Sequence, residues 1–454
     1  MNSSGNLTIL FVAFEFPPLN SGGVQRSLKW VKYLPDFGIN PVVITIEVDD
    51  IGQVFRDAKT DNGLLVDIPE NTIIKRVHCE SPSQSRNKIW NWLSIYFSVS
   101  EIFKKTWKKN LEINLPEIMA TYKPDAVYVT LPPFAMATLW RKLLRRYDIP
   151  LIVDFRDAWS QWCVNVNGSY FHYLAKLLAE RKILKRADAV VCSSTQIMLD
   201  MQNVHPMVDG GKYTVITNGF DEDEIPQLVN LEFKKNKIII GYVGSFYYTP
   251  EYRDNIFRPW WKKPIHRMLN YVPRKEDWLY RSPFYFFKAI QSILDEHQDW
   301  KERVEIRFAG STPKWLIDQI KAFGLENNCR HYGHLNHDDV ISFQKGCDAL
   351  LITSSKVIDG RDYSIAGKTF EYFTIGKPIL AFVCDGVQKD LLQQSGSAVM
   401  FNPDDNKQSV TTMLQFFNGN IKLNPDMSFI KQHHRKNLTK KLAGVIREIT
   451  TKNL

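Results

Sequence analysis

Residues 364–380 read SIAGKTFEYFTIGKPIL, and few folds accommodate that string. The apolar run at 349–354 before it reads as a buried parallel strand, and the polar loop 356–363 then lies at that strand's carboxyl end. Helical periodicity is expected from Ala366 and ends at Gly376-Lys377-Pro378, where glycine supplies a C-terminal cap and proline forbids continuation. The order strand, loop, helix, strand calls for an α/β chain with a parallel sheet. A helix start in such a loop offers unpaired N–H groups and a positive dipole end, Gly367 admits an anion, and Lys368 adds a full charge. A phosphate is expected there. Glu371, one turn on, would repel an anion, so its carboxylate suits neutral hydroxyls such as a ribose diol.

A P-loop is the competing reading of Gly367-Lys368-Thr369. That motif needs a glycine five residues before Gly367, where Asp362 stands, and Gly360 comes two residues too early. A plain capped, exposed helix is the other alternative.

The same alternation fills the rest of the chain. A strand at 7–13 leads through a loop with Gly22 and Gly23 into a helix carrying Leu28, Val31 and Leu34, the first unit of a Rossmann-like sheet. The loop is not GxGxxG, so a dinucleotide is not indicated. Strands are expected at 41–45, 73–78, 125–130, 151–159, 187–192 and 213–217. Lys237 opens a second series, with Gly244 and Ser245 after its first strand, further strands at 304–310 and 331–337, and a final basic, amphipathic helix at 426–449. Two domains follow from this restart and from the 454-residue length. The expected boundaries are 1–225, 226–427 and a returning helix at 428–454.

Hydrophobic residues make up 44% and charged residues 24%, an ordinary globular balance. The six cysteines form no CxxC pair and read as reduced core thiols. No apolar run approaches a membrane span, and the run at 7–14 lacks the basic flank and cleavage site of a signal peptide. The net charge of +9 suits an anionic partner. No nucleic-acid-binding signature is present, so nucleic acid is not expected. Basic residues instead gather beside aromatic ones in two places, 86–110 and 246–283, which suits a peripheral membrane surface. A core-packed helix is the alternative for the first, and a protein contact for the second. His331, His334 and His337 lack the partner pattern of a zinc site.

The segment GK-x-x-EY-x-x-x-GKPI resembles that of family 4-like (GT4) glycosyltransferases, retaining enzymes of bacterial surface-polysaccharide synthesis. The resemblance implies a GT-B fold: two Rossmann-like parallel-sheet domains facing across a cleft. It implies that Gly22, Gly23, Gly244, Ser245, Gly333, His334, Gly367, Lys368 and Glu371 bind a nucleoside diphosphate sugar. Arg281, ahead of a helix after the 246–283 insertion, is the matching cation, and Arg156 and Asp157 of DFRDAW shape the acceptor side. The family's first glutamate falls on Tyr363, so the adjacent Asp362 is the candidate substitute. Asp362, Lys368 and Arg281 form the candidate catalytic set. No metal or other cofactor is expected, since dipoles and cations neutralise the diphosphate. The implied activity is transfer to a lipid-linked glycan at the cytoplasmic face of the membrane. A GT-B nucleotide-sugar epimerase and a catalytically silent membrane scaffold are the alternatives.

Overall fold

The protein is described from a computed structural model covering residues 5–55, 59–79, 105–162, 166–230 and 237–452. It divides into two compact units. Unit 1 comprises Met1–Asn218, Leu269–Pro273 and Arg435–Leu454, and unit 2 comprises Gly219–Met268 and Arg274–His434.

Unit 1 is built on seven strands: β1 (Leu7–Val12), β2 (Ile39–Ile46), β3 (Ile73–Val77), β4 (Ala126–Leu131), β5 (Leu151–Phe155), β6 (Ala189–Cys192) and β7 (Tyr213–Val215). They lie in the order β3-β2-β1-β4-β5-β6-β7, and every pair is parallel. Helices cover both faces of such a sheet, which is why β4 and β5 are buried at every position. On one face pack α1 (Val24–Tyr33) and the C-terminal helix α8 (Arg435–Thr451). α8 contributes Leu438, Leu442, Ala443, Ile446 and Ile449, a single helical stripe, to the core around Ile9, Phe11, Trp30 and Val31. Arg447 Nη2 donates to the Phe37 carbonyl at 2.6 Å and Lys436 pairs with Asp36 at 2.7 Å, fixing the helix end to end.

Unit 2 repeats the plan with β8 (Ile238–Val243), β9 (Val304–Ala309), β10 (Cys329–His331), β11 (Ala349–Thr353), β12 (Ile379–Phe382) and β13 (Ala398–Phe401). Their order is β10-β9-β8-β11-β12-β13, again all parallel. Chain direction across each sheet therefore reverses beside its first strand, and in open α/β sheets ligands bind at the strand carboxyl ends flanking that point. In unit 2 those ends carry the loop after Val243 and the loop after Thr353.

Several expectations need correction. The returning segment begins between His434 and Arg435 rather than at 428, and the 426–449 helix is two: α7 (Met427–Lys431) and α8. Ile430 packs in the core of unit 2, and residues 432–434 leave helical geometry so that Phe220 can bridge His434 and donate its N–H to the His433 carbonyl. The strand expected at 331–337 is instead Cys329–His331, because Gly333 turns the chain away with φ +66°. Most of 86–110 lies outside the described residues. Its described end enters α2 (Lys105–Tyr122), where Trp107 is fully buried against Phe14 at 5.3 Å and unavailable to lipid. The insertion is not one body: Leu269–Pro273 belongs to unit 1, where Asn167 and Tyr271 exchange two N–H···O bonds of 2.9 Å.

Candidate functional site

Three strand ends in unit 2 turn through glycine. Gly244 follows β8 with φ +99°, Gly310 follows β9 with φ +132°, and Gly333 lies beyond β10. Each donates or accepts along a chain: Gly244 N–H to the Ala309 carbonyl at 2.8 Å, and Gly310 N–H to the Gly333 carbonyl at 2.7 Å. A Cβ on Gly310 would stand 2.5 Å from the Gly244 carbonyl oxygen, so only glycine permits this approach. Ser245 and Ser311 join their hydroxyls at 2.8 Å across the same rim. Gly310 and Ser311 escaped the sequence reading because their role lies in contact with Gly244, not in a motif.

Lys368 stands over this rim. The helix α6 (Gly367–Phe373) carries it, and Nζ donates to the Val243 carbonyl at 2.7 Å while resting 3.7 Å from the Tyr242 ring. Gly244 is held to glycine by its φ of +99°, and a Cβ there would also lie 3.3 Å from Nζ. Burial pulls the Lys368 pKa from 10.5 down to about 7, with Arg281 pushing the same way and Glu371 opposing. The helix is steadied from Gln388, whose Oε1 accepts from Ala366 N–H at 2.8 Å and from Thr369 Oγ1 at 3.1 Å. Gly367 and Glu371 are both exposed, and nothing lies within 4 Å of a Cβ built on Gly367.

Arg281, just ahead of α5 (Phe284–Glu296), is fixed by the pairing of the 246–283 insertion. Residues 276–277 pair antiparallel with 356–357, which brings the insertion's end against the loop after β11, and Thr353 Oγ1 donates to the Arg281 carbonyl at 2.9 Å. The guanidinium lies 4.9 Å from the Tyr247 ring and 5.8 Å from Trp278. Against the effect of burial, Asp362 and Glu276 raise its pKa, so the cation stays charged. Burial and the charge of Asp362 in turn raise the pKa of Glu276, against Arg281, Ser355 and Trp278.

Asp362 does not present a carboxylate to an incoming sugar. It is 0% exposed; Oδ1 accepts from Ser364 N–H at 2.9 Å and from Ser364 Oγ at 2.8 Å, and Oδ2 from Ser355 Oγ at 3.2 Å. These bonds organise the loop, and the neighbouring charge acts on Arg281. Tyr363 is buried, 5.8 Å from the Arg274 guanidinium. Thus Gly244, Ser245, Lys368, Arg281 and Asp362 gather around the ends of β8 and β11, with Gly333 joined to them through Gly310. His334 is exposed on the turn beside Gly333.

The remaining candidates belong to unit 1. Gly22 is open on its Cβ side, whereas a Cβ on Gly23 would fall 1.4 Å from Arg156 Nη1 and 2.8 Å from Glu15 Oε2. Arg156 ties strand ends together: Nε donates to the Leu131 carbonyl at 3.3 Å, Nη2 to the Pro132 carbonyl, and Nη1 stands 3.8 Å from Glu15. Asp157 follows on the same turn. Beneath them lies a buried pair the sequence did not disclose. Arg26 Nε and Nη2 grip Asp154 at 2.8 and 2.9 Å, Tyr128 Oη donates to Asp154 at 2.6 Å, and Arg26 Nη1 reaches the Thr217 carbonyl at 2.9 Å. The start of α1, the centre of the sheet and the chain's exit from the unit are so joined.

Two Rossmann-like units with the same parallel strand order define the GT-B architecture. Residues 21–219 match the glycosyl transferase 4-like domain and residues 279–434 match the glycosyl transferases group 1 domain. The two matches span most of the chain, which belongs to the GT4-like glycosyltransferases and is a glycosyltransferase by family. Its fold is similar to that of the lipopolysaccharide outer core galactosyltransferase WaaB in its apo form: TM-score 0.58 at 12% identity, covering 97% of this chain and 99% of that one. Anabaena Alr3699/HepE, solved in complex with UDP, gives 0.54 at 13% identity over 98% of both chains. The sucrose-phosphate synthase of Thermosynechococcus elongatus gives 0.54 at 11%, over 98% of this chain and 97% of that one. No curated protein matches the sequence.

Proposed function

We propose that the protein transfers a glycosyl group from a nucleoside diphosphate sugar, with retention, to a lipid-linked glycan acceptor in surface-polysaccharide synthesis. The reaction takes place at the cytoplasmic face of a membrane to which the protein binds peripherally. The observation that carries the donor half is Lys368, a buried amine with no carboxylate within its hydrogen-bond set, lodged against the glycine turn at the end of β8. Such a group gains most from a dianion arriving beside it. The solved relative that binds UDP supports the same reading.

As the glycosidic bond breaks, negative charge grows on the diphosphate and positive charge on the sugar ring. Lys368 and Arg281 stabilise the first, aided by N–H groups at Ser245 and Gly367, while Gly244, whose N–H is bonded to the Ala309 carbonyl, supplies the turn. Glu371 accepts from the ribose hydroxyls, and Gly333 and His334 face the base. Asp362 and Glu276 act at one remove, holding Arg281. Gly22 and Gly23 are assigned to donor binding, and Arg156 and Asp157 to the acceptor side. No metal or cofactor enters this scheme, because cations of the chain itself balance the leaving group. The test is a thermal-shift panel of UDP, GDP and their sugars. One donor class is expected to raise Tm in proportion to the logarithm of its concentration. Stabilisation by none of them would remove the donor assignment.

A further inference from the structure

Positive charge nearly as large as the chain's net +9 gathers on one helix pair of unit 1. α3 (Ala135–Leu143) with the turn through Arg146 carries Arg141, Lys142, Arg145 and Arg146 and no acid. α4 (Tyr170–Arg186), which packs against α3, carries Lys176, Arg181, Lys182, Lys185 and Arg186 against the single acid Glu180. Nine bases against one acid leave a net +8 on this helix pair. Glu180 is also turned inward, buried and bonded to Ser160 and His205. Lys142, Arg146, Arg181, Lys182 and Lys185 are exposed.

α4 already has a buried face in Tyr173, Lys176, Glu180, Ile183 and Leu184. Its outer face ought to be polar, yet Phe171 is 79% exposed, Leu178 53% and Leu174 37%. Spacings of three and four residues set these on one stripe, which Arg181, Lys182 and Lys185 continue. Along a single helix the solvent side therefore passes from apolar to cationic. Tyr271 packs its ring 5.0 Å from Tyr170 and 4.9 Å from Tyr173, so Leu269, itself 69% exposed, belongs to the same neighbourhood.

We infer that this face of α4 docks on an anionic lipid bilayer. The apolar half enters the boundary between head groups and acyl chains, and the lysines and arginines meet the lipid phosphates. Charge complementarity selects this partner. A second copy would bring two strongly positive faces together, whereas an anionic surface neutralises both rows at once. The inference rests on the membrane reading above and gives it a location on α4.

The test is co-sedimentation of the full chain with vesicles of phosphatidylcholine alone or mixed with phosphatidylglycerol. Three proteins are compared: wild type, Phe171→Glu with Leu178→Glu, and Trp260→Ala with Trp261→Ala. Wild type is expected to bind only the phosphatidylglycerol vesicles and less well as salt rises. The α4 variant is expected to bind about tenfold more weakly or worse, with unchanged Tm and light-scattering mass, while the tryptophan variant binds as wild type. Undiminished binding by the α4 variant, or loss confined to the tryptophan variant, overturns the location. A fall in mass of the α4 variant reveals self-association through this face and overturns it too. Wild type that ignores both vesicles instead removes the membrane reading, whatever α4 does.

Discussion

Donor binding should draw a proton from solution, because Lys368 is held at a pKa of about 7 by burial. At pH 7 about half of the free protein carries the charge on Nζ; at pH 9 only about one molecule in a hundred does. A diphosphate beside Nζ restores the charged form, so its affinity depends on the protonated fraction. Above pH 7 the apparent Kd for UDP or GDP, whichever binds, is expected to rise by about tenfold per pH unit. The terminal phosphate, with its second pKa near 6, stays ionised throughout. Lys368→Met, similar in length and uncharged, should lose about 100-fold in affinity at pH 7 and little further at pH 9, where the wild-type amine is already neutral. The difference, about 2.7 kcal/mol, is two units of pKa. Isothermal titration in two buffers of different ionisation enthalpy reads the proton directly, with net uptake at pH 8 in wild type and none in the variant. The sign for stability is opposite. A folded pKa below the unfolded 10.5 leaves the unfolded chain holding the extra proton between about 7 and 10.5, so stability rises with pH across that window. Affinity that is flat from pH 7 to 9, or a methionine variant that binds as wild type, would refute the reasoning.

Gly310→Ala must either displace the Gly244 carbonyl, 2.5 Å from the new methyl, or distort the turn; a loss of about 1–3 kcal/mol in denaturant unfolding is expected, with donor binding abolished. Arg26→Ala leaves Asp154 buried without its partner and should cost about 3–5 kcal/mol, read as a fall in Tm of about 10 °C. Glu371→Ala should weaken the nucleoside diphosphate while leaving inorganic pyrophosphate unaffected; equal affinity for the nucleotide would remove the ribose assignment.

Both sheets could be read from the sequence because a parallel strand covered on both faces is a continuous apolar run, as at Ala349–Thr353 and Leu151–Phe155. The two-residue pairing of 276–277 with 356–357 has no period to read, and it is what fixes Arg281. The kink between α7 and α8 was equally hidden, since the amphipathic pattern runs through residues 432–434 while the backbone there serves Phe220. Lys368 and Gly244 were both recognisable as phosphate-site residues. The bond from Lys368 to the Val243 carbonyl, across 125 positions of chain, was not, and neither was the enclosure of Asp362 by Ser355 and Ser364. The exposed stripe on α4 looked in sequence like any helix rich in leucine and lysine. Only the fold reveals which side the core left uncovered.

Label transfer tests the central claim most directly: a donor labelled in its sugar, incubated with the protein and membrane lipids. The account predicts label in the organic-soluble fraction, one nucleoside diphosphate released per sugar moved, and loss of both with Lys368→Met. Donor that binds yet stays intact with every lipid fraction, or an isomerised free nucleotide sugar, would contradict it.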